Sequence, residues 1–302
     1  RNFDKRITNS EGAGISTHDG MRFYGNSNGF MGGYASSRHS LSCTVIGETE
    51  NGMQRDHYYT VARDPVNLES AQYVGQKAAE NTIDRLDARK IPTCQAPVIF
   101  SAEVARGVLG SLLRAISGSS QYRKSSFLLD AKGQQIFPER YTIDERPHLL
   151  GALGSSPFDN EGVATQNRNW VEDGVLQGYV LDSYGARRLG MQTTGNAGGV
   201  HNLFINNDDK TREDLLKEMG TGLLVTEVMG QGVNIVTGDY SRGASGFWVE
   251  NGEIQYPVEE ITIASTLQEM YQQLVYVAND VDVRGNIQTG SWLIEKMSVA
   301  GS

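Results

Sequence analysis

Trp170-Val171-Glu172-Asp173-Gly174-Val175 and Trp248-Val249-Glu250-Asn251-Gly252-Glu253 each lead a bulky strand residue into an Asp-Gly or Asn-Gly step. Both steps suit the positive backbone dihedrals of a two-residue type I′ turn, whose twist matches that of flanking antiparallel strands. Glu50-Asn51-Gly52-Met53 repeats the signal, and Leu129 to Phe137 around Lys132-Gly133 is a fourth candidate hairpin. Glycine is abundant at 35 residues against 7 prolines, and it gathers in short turns between alternating segments, a pattern that favours antiparallel sheet. The expected fold is α+β: a predominantly antiparallel, hairpin-rich curved β-sheet with flanking helices. The phrase shared by the two tryptophan hairpins is too short to define a repeat and is read as convergent turn chemistry.

Helices punctuate these strands. Leu68 to Arg89, behind an Asn67 cap, sets Ala71, Val74, Ala78 and Leu86 on one side and stops before Pro92. Ile91 to Pro97 reads as a connector and domain boundary leading into the apolar strand Val98 to Phe100. Ala102 to Ser117 carries Ala105, Val108, Leu109, Leu112 and Ile116 at helical spacing, with Ser101 as cap and Gly118 as stop. A short helix follows Thr211, where Asp214 completes a capping box and Gly220 follows the end. The last follows Ser265, with Gln268 in a similar box, and buries Leu267, Met270, Tyr271, Leu274 and Val277.

Composition narrows the function. The 302 residues have a mean hydropathy of -0.40, which suits a chain able to bury a real core. Lys and Arg total 27 against 36 for Asp and Glu, so a net charge of -9 opposes any sequence-independent grip on phosphate backbones, and no nucleic-acid partner is expected. There is neither an apolar run of the ~18 residues a membrane helix needs nor a signal-like start, so no membrane association is expected. Cys43 and Cys94 are too few for a disulfide framework, which makes the cytoplasm the expected compartment. A start at Arg1 rather than Met points to missing upstream sequence.

The residues that carry chemistry are sparse. His18, His39, His57, His148 and His201 show no spacing at which one helix turn or hairpin would hold a metal, and Cys-x-x-Cys is absent. Gly243-Ala244-Ser245-Gly246 is a partial echo of a nucleophile elbow with no helix behind it, and reads as a flexible turn before a strand at Phe247. Cys43 reads as a small buried thiol in the strand Leu41 to Ile46, and nothing near Cys94 lowers its pKa. Gly154 to Gly162, with Ser155, Ser156, Asp159, Asn160 and Glu161, has the density of a loop that binds calcium or positions a ligand, but its carboxylates lack the calcium-loop alternation, so it reads as a turn stabilised by its own side chains. Phe247 and Trp248 are core strand residues or interface anchors.

Three stretches suggest a family. Asp159-Asn160-Glu161-Gly162 is followed by the hairpin Asn169 to Tyr179, then by Ser183-Tyr184-Gly185-Ala186-Arg187-Arg188-Leu189-Gly190 and Thr194-Gly195-Asn196. Gly238 to Val258 and Ala278-Asn279-Asp280 complete the pattern. Together they resemble the TldD/TldE (PmbA) family over nearly the whole chain, most closely its TldE (PmbA) branch. The resemblance implies that residues 1–90 are the remainder of a truncated preceding α/β domain and that residues 93–302 form the family's C-terminal antiparallel β-rich domain.

The resemblance also implies a heterodimeric metallopeptidase, acting on unfolded or leader peptides, in which TldD carries a His-Glu-x-x-x-His helix and a distant Cys. The residues in register here are Arg106 and Gly107 for the His-Glu pair and Ser111 for the second His, and no Cys follows Asn279-Asp280. An arginine has no lone pair to offer, and a guanidinium about 4 Å from a divalent ion meets several kcal/mol of repulsion even at an effective dielectric near 20. Glycine removes the carboxylate that would activate water. No catalytic residue, metal or cofactor is therefore expected in this chain. Its expected partners are a TldD-like metallopeptidase subunit and an unfolded or leader peptide. Gly195-Asn196-Ala197-Gly198-Gly199 is the candidate contact loop, either approached closely by peptide or partner or mobile at the surface. The rival readings are a self-sufficient hydrolase and a regulatory binding protein that modulates DNA gyrase.

Overall fold

Three long strands open the chain, and the computed structural model describes residues 2–301. β1 (Ile7–Gly25), β2 (Met31–Thr49) and β3 (Gly52–Ala62) form an antiparallel meander in the order β1-β2-β3. Its second turn is the expected hairpin at Glu50-Asn51, with Thr49 paired to Gly52, which has a φ of 146°. α1 (Ala71–Asp84) lays Val74, Ala78 and Ala79 inward, and the two alanines join Ile7 and Val45 in a small core. Cys43 lies half-buried at the edge of this core rather than fully inside it. Helix α1 starts later than the expected Leu68, and Asn67 does not cap it. Pro65–Asn67 instead form a 3₁₀ turn capped by Asp64, and Ser70 Oγ accepts from Tyr73 N at 3.2 Å.

The second unit begins with β4 (Cys94–Phe100), α2 (Ala102–Ala115) and α3 (Gly118–Tyr122). Short strands follow: β5 (Ile143–Glu145), β6 (Arg168–Glu172) and β7 (Val175–Leu176), then α4 (Ser183–Leu189), β8 (Leu203–Ile205) and α5 (Arg212–Met219). β9 (Gly222–Met229), β10 (Asp239–Glu250), β11 (Glu253–Thr266), α6 (Leu267–Gln272), β12 (Leu274–Val277), β13 (Ile287–Gln288) and β14 (Trp292–Ala300) complete it. The sheet β11-β10-β9-β4-β14 closes on itself because β14 also pairs with β11, and β12 is appended beyond β14. Closure removes the free edges that an open sheet would have to protect. A second sheet has the order β13-β8-β5-β6-β7. Pairing is antiparallel throughout except for β4 with β9 and β8 with β13, so the fold is the α+β, hairpin-rich antiparallel class expected.

Both tryptophan hairpins form. Asp173 and Gly174 have φ of 48° and 76°, and Asn251 and Gly252 have 54° and 78°, the two positive dihedrals of a type I′ turn. Leu129 to Phe137 does not form its own hairpin; Gly133 N and Ile136 N donate instead to Leu176 O and Gly174 O, so the segment leans on the β6–β7 turn. The core gathers the inward faces of α2 and α6 with Trp170, Phe137 and Trp292. Tyr271 stacks on Phe137 at 4.7 Å between ring centroids and donates to Val108 O at 3.1 Å.

Four local expectations fail for identifiable reasons. Ser101 makes no capping bond, and its hydroxyl is buried without a partner. Ser117 and Gly118 do not end α2; Ser117 Oγ accepts from Ser120 N at 3.3 Å and so caps α3. Thr266 rather than Ser265 caps α6, and Leu274 to Val277 run on as strand β12. Gly243-Ala244-Ser245-Gly246 lies inside β10 and is not a turn. A Cβ on Gly246 would stand 1.9 Å from Leu224 O, so the glycine marks a close approach of two backbones at a bulge rather than flexibility. Gly246→Ala is expected to cost about 1–3 kcal/mol of stability by overpacking the barrel wall, read as a lowered denaturation midpoint; an unchanged midpoint would show that the wall can yield.

Candidate functional site

Glu145 ends β5, and its carboxylate is buried, with 1% of its surface exposed. Its Oε1 accepts from His201 N at 2.6 Å, His201 Nδ1 at 2.9 Å and Asn196 Nδ2 at 2.9 Å, while Oε2 accepts from Trp170 Nε1 at 3.1 Å. A buried charge persists only when its lone pairs are matched in this way. Beside it, Arg168 crosses the Trp170 ring at 5.1 Å and donates to Thr194 O at 2.7 Å. Burial holds the Arg168 guanidinium below its ordinary pKa, and the charge of Glu145 opposes that shift.

Asp159 supplies a second clamp. Its Oδ1 accepts from Glu161 N at 2.8 Å and Val163 N at 3.0 Å, so the 154–162 segment is a turn stabilised by its own side chain. Its Oδ2 reaches out to accept from Ala197 N at 2.9 Å, and Asn160 N donates to Ala197 O at 2.9 Å. Gly195, Asn196 and Ala197 are consequently buried, whereas Gly198 and Gly199 are exposed. The candidate contact loop is thus pinned at three of its five residues. Between it and the β1–β2 ribbon lies a groove of about 210 Å³, lined among others by Arg22, Asn160, Gly198, Gly199, Val200 and His201. A larger hollow at Asn51, Asp87 and Glu259 has those side chains bonded to one another or to Gln54.

The α2 positions form a second place of interest. Arg106 Nη1 lies 3.4 Å from Asp282 Oδ2, and Asp282 Oδ1 accepts from Arg284 Nε at 2.8 Å. Arg284 also pairs with Glu103 and lies 4.7 Å from the centre of the Tyr59 ring, tying α2 to β3. Gly107 is exposed, and Ser111 is buried with its hydroxyl donating to Gly107 O at 3.2 Å. Asn286 joins the two places: a Cβ on its neighbour Gly285 would stand 3.1 Å from Arg106 Nη1, and Asn286 Nδ2 donates to Val200 O at 3.0 Å. Among the described residues no three His, Cys, Asp or Glu side chains converge where a metal ion could sit.

Against known families, residues 93–301 match the PmbA/TldA metallopeptidase C-terminal domain and residues 1–86 the central domain. The chain belongs to the PmbA/TldD metallopeptidase family. It is 54% identical over 298 residues to metalloprotease PmbA of Escherichia coli O157:H7, covering 99% of this chain but 66% of that relative. The PmbA/TldD fold recurs in a Bacteroides thetaiotaomicron protein described as a candidate modulator of DNA gyrase, with a TM-score of 0.94 and 29% identity over 100% of this chain and 68% of that one. TldE from Thermococcus kodakarensis shares the fold at a TM-score of 0.82 and 24% identity, covering 96% of this chain and 68% of its own.

Sequence reasoning named the loop but not its clamps. Glu145 is separated from Trp170, Asn196 and His201 by 25, 51 and 56 residues, and an isolated glutamate carries no local signature of burial. Asp159 opens the Asp159-Asn160-Glu161-Gly162 motif, and its Asx-turn spacing to Glu161 is the available clue. Glu145→Ala would strand three side-chain donors and is expected to lower stability by about 3 kcal/mol or more. It should also speed hydrogen exchange at the His201 amide; unchanged exchange there would show that the carboxylate does not hold the loop.

Proposed function

We propose that this chain is the non-catalytic subunit of a TldD/TldE-type heterodimeric metallopeptidase, which processes or degrades unfolded and leader peptides in the cytoplasm. The observation that carries this reading is Arg106: at a position where the family resemblance puts a metal ligand, a permanent cation is committed to Asp282 at 3.4 Å. Gly107 offers no side chain, and the Ser111 hydroxyl is spent on Gly107 O. The partner is a TldD-like subunit that brings the metal and its activated water. This chain contributes a wall of the peptide cleft, with Gly195 to Gly199 as the loop that meets the peptide or the partner.

The residues proposed for a self-sufficient hydrolase lack the necessary surroundings. Ser245 Oγ donates to Glu227 Oε2 at 3.2 Å and lies 3.4 Å from Arg85 Nη2, with no imidazole in that set. Cys43 packs half-buried against the edge of the α1 core, and Cys94 opens β4. The purified chain is expected to hold no stoichiometric zinc by elemental analysis, to cleave no unstructured peptide alone, and to support cleavage once a TldD-like partner is added. Stoichiometric zinc, with activity of the lone chain abolished by chelation, would overturn the reading. A stable gyrase complex captured without any peptidase partner would favour the regulatory alternative.

A further inference from the structure

The groove between the β1–β2 ribbon and the glycine-rich loop carries chemistry that the fold itself does not consume. Gly198 N, Gly198 O and Val200 N have no intramolecular hydrogen-bond partner among the described residues, although both neighbours are engaged: Gly199 N donates to Asn196 O at 2.9 Å and His201 N to Glu145. Main-chain groups left unpaired beside ordered neighbours are the ones a ligand can use. His201 adds a side chain. Glu145 Oε1 is an acceptor 2.9 Å from Nδ1, so in the neutral imidazole the proton sits on Nδ1 and Nε2 is left as an acceptor with no protein donor. The ring is held rigidly, since 12% of its surface is exposed and its own amide is bonded to the same carboxylate. From the opposite wall, Arg22 donates one N–H to Asn160 Oδ1, and its remaining N–H groups have no partner among the described residues.

The geometry points to a docking channel for one extended peptide segment. Its main chain would be read by the Gly198 and Val200 backbones and by His201 Nε2, the acceptor of a neutral imidazole that Glu145 orients. Donors and acceptors occur together within a few residues of one strip of backbone, as a peptide main chain requires and as a simple anion, which only accepts, does not. Gly198 has a φ of 103°, and a Cβ there would stand 2.3 Å from Asn160 Nδ2, so a side chain would displace the Asn160 amide that accepts from Arg22. Specificity for sequence would be weak, because main-chain groups are common to every peptide. This inference rests on the peptide role proposed above and moves the contact from Gly195, Asn196 and Ala197, which are buried, to Gly198, Val200 and His201. His201 acts here as a binding residue and Glu145 as its positioning residue.

The test is fluorescence anisotropy of the 302-residue chain, without any partner, against a short fluorescein-labelled unstructured peptide and the same peptide N-methylated along its backbone. The unmodified peptide is expected to bind, and N-methylation, which removes the donors for His201 Nε2 and Gly198 O, to weaken it roughly tenfold or more. His201→Ala should weaken binding by a similar factor, and His201→Gln, whose Oε1 restores an acceptor, should recover part of it. Hydrogen exchange on the unaltered chain gives a readout independent of variant folding: the peptide should protect the Gly198 and Val200 amides. No peptide binding, equal affinity for the N-methylated peptide, or unprotected Gly198 and Val200 amides would each overturn the channel. Partner-supported cleavage is scored separately. Its failure while the lone chain still binds peptide sinks the subunit reading and leaves the channel standing, whereas loss of binding with cleavage intact removes the channel alone.

Discussion

A single buried carboxylate fixes the geometry of the candidate site. Glu145 sits at the end of a three-residue strand, and taking its charge out of water requires compensation from every donor it can reach. Those donors come from β6 through Trp170, from the glycine-rich loop through Asn196, and from both the backbone and the ring of His201. Hydrogen bonds to a charged acceptor contribute about 1.5–3 kcal/mol each, so a segment rich in glycine, which would otherwise be mobile, is held in one conformation. Asp159 repeats the device from the other side at Ala197. The loop can then display two glycines without the entropic cost of ordering them anew when something binds.

The barrel supplies the frame on which this happens. β14 pairs with β4 on one side and β11 on the other, which closes five strands and leaves β12 as an appendage. α2 packs its apolar face, including Leu109 and Leu112, into the common core and turns Glu103 and Arg106 toward the segment after β12. Asp282 and Arg284 answer from that segment, and Arg284 also lies against Tyr59 of the first sheet. An ionic seam therefore runs from α2 to the long ribbon, and the groove by His201 lies on its far side, joined through Asn286.

On the subunit reading proposed above, the seam would explain how a family fold can be kept while a metal position is not. A divalent ion cross-links several chain segments at once, and losing it would leave its neighbours unsupported. Here the cross-links between α2 and the 282–286 loop are made by guanidinium and carboxylate groups instead. An ion pair of this kind, buried on the Asp282 side and partly exposed at Arg106, contributes little net stability, but removing the arginine strands the buried carboxylate. Arg106 and Asp282 thus constrain each other wherever this arrangement is retained.

Local chemistry was readable from the chain alone. The Asp-Gly and Asn-Gly turns, the capping box at Thr211 and Asp214 and the apolar face of α2 each depend on a few neighbouring residues. Helix starts were less legible where two capping residues lie close together, because the direction of chain entry decides between Asn67 and Ser70, or Ser265 and Thr266. Gly246 was misread because a glycine required by a backbone passing 1.9 Å from its missing Cβ looks, in sequence, like one required by a turn. Closure of the barrel, the burial of Glu145, the orientation of His201 and the pairing of Arg106 with Asp282 were decided only by tertiary structure. Each joins residues far apart in the chain, and no local pattern records which distant charge or donor will end up opposite.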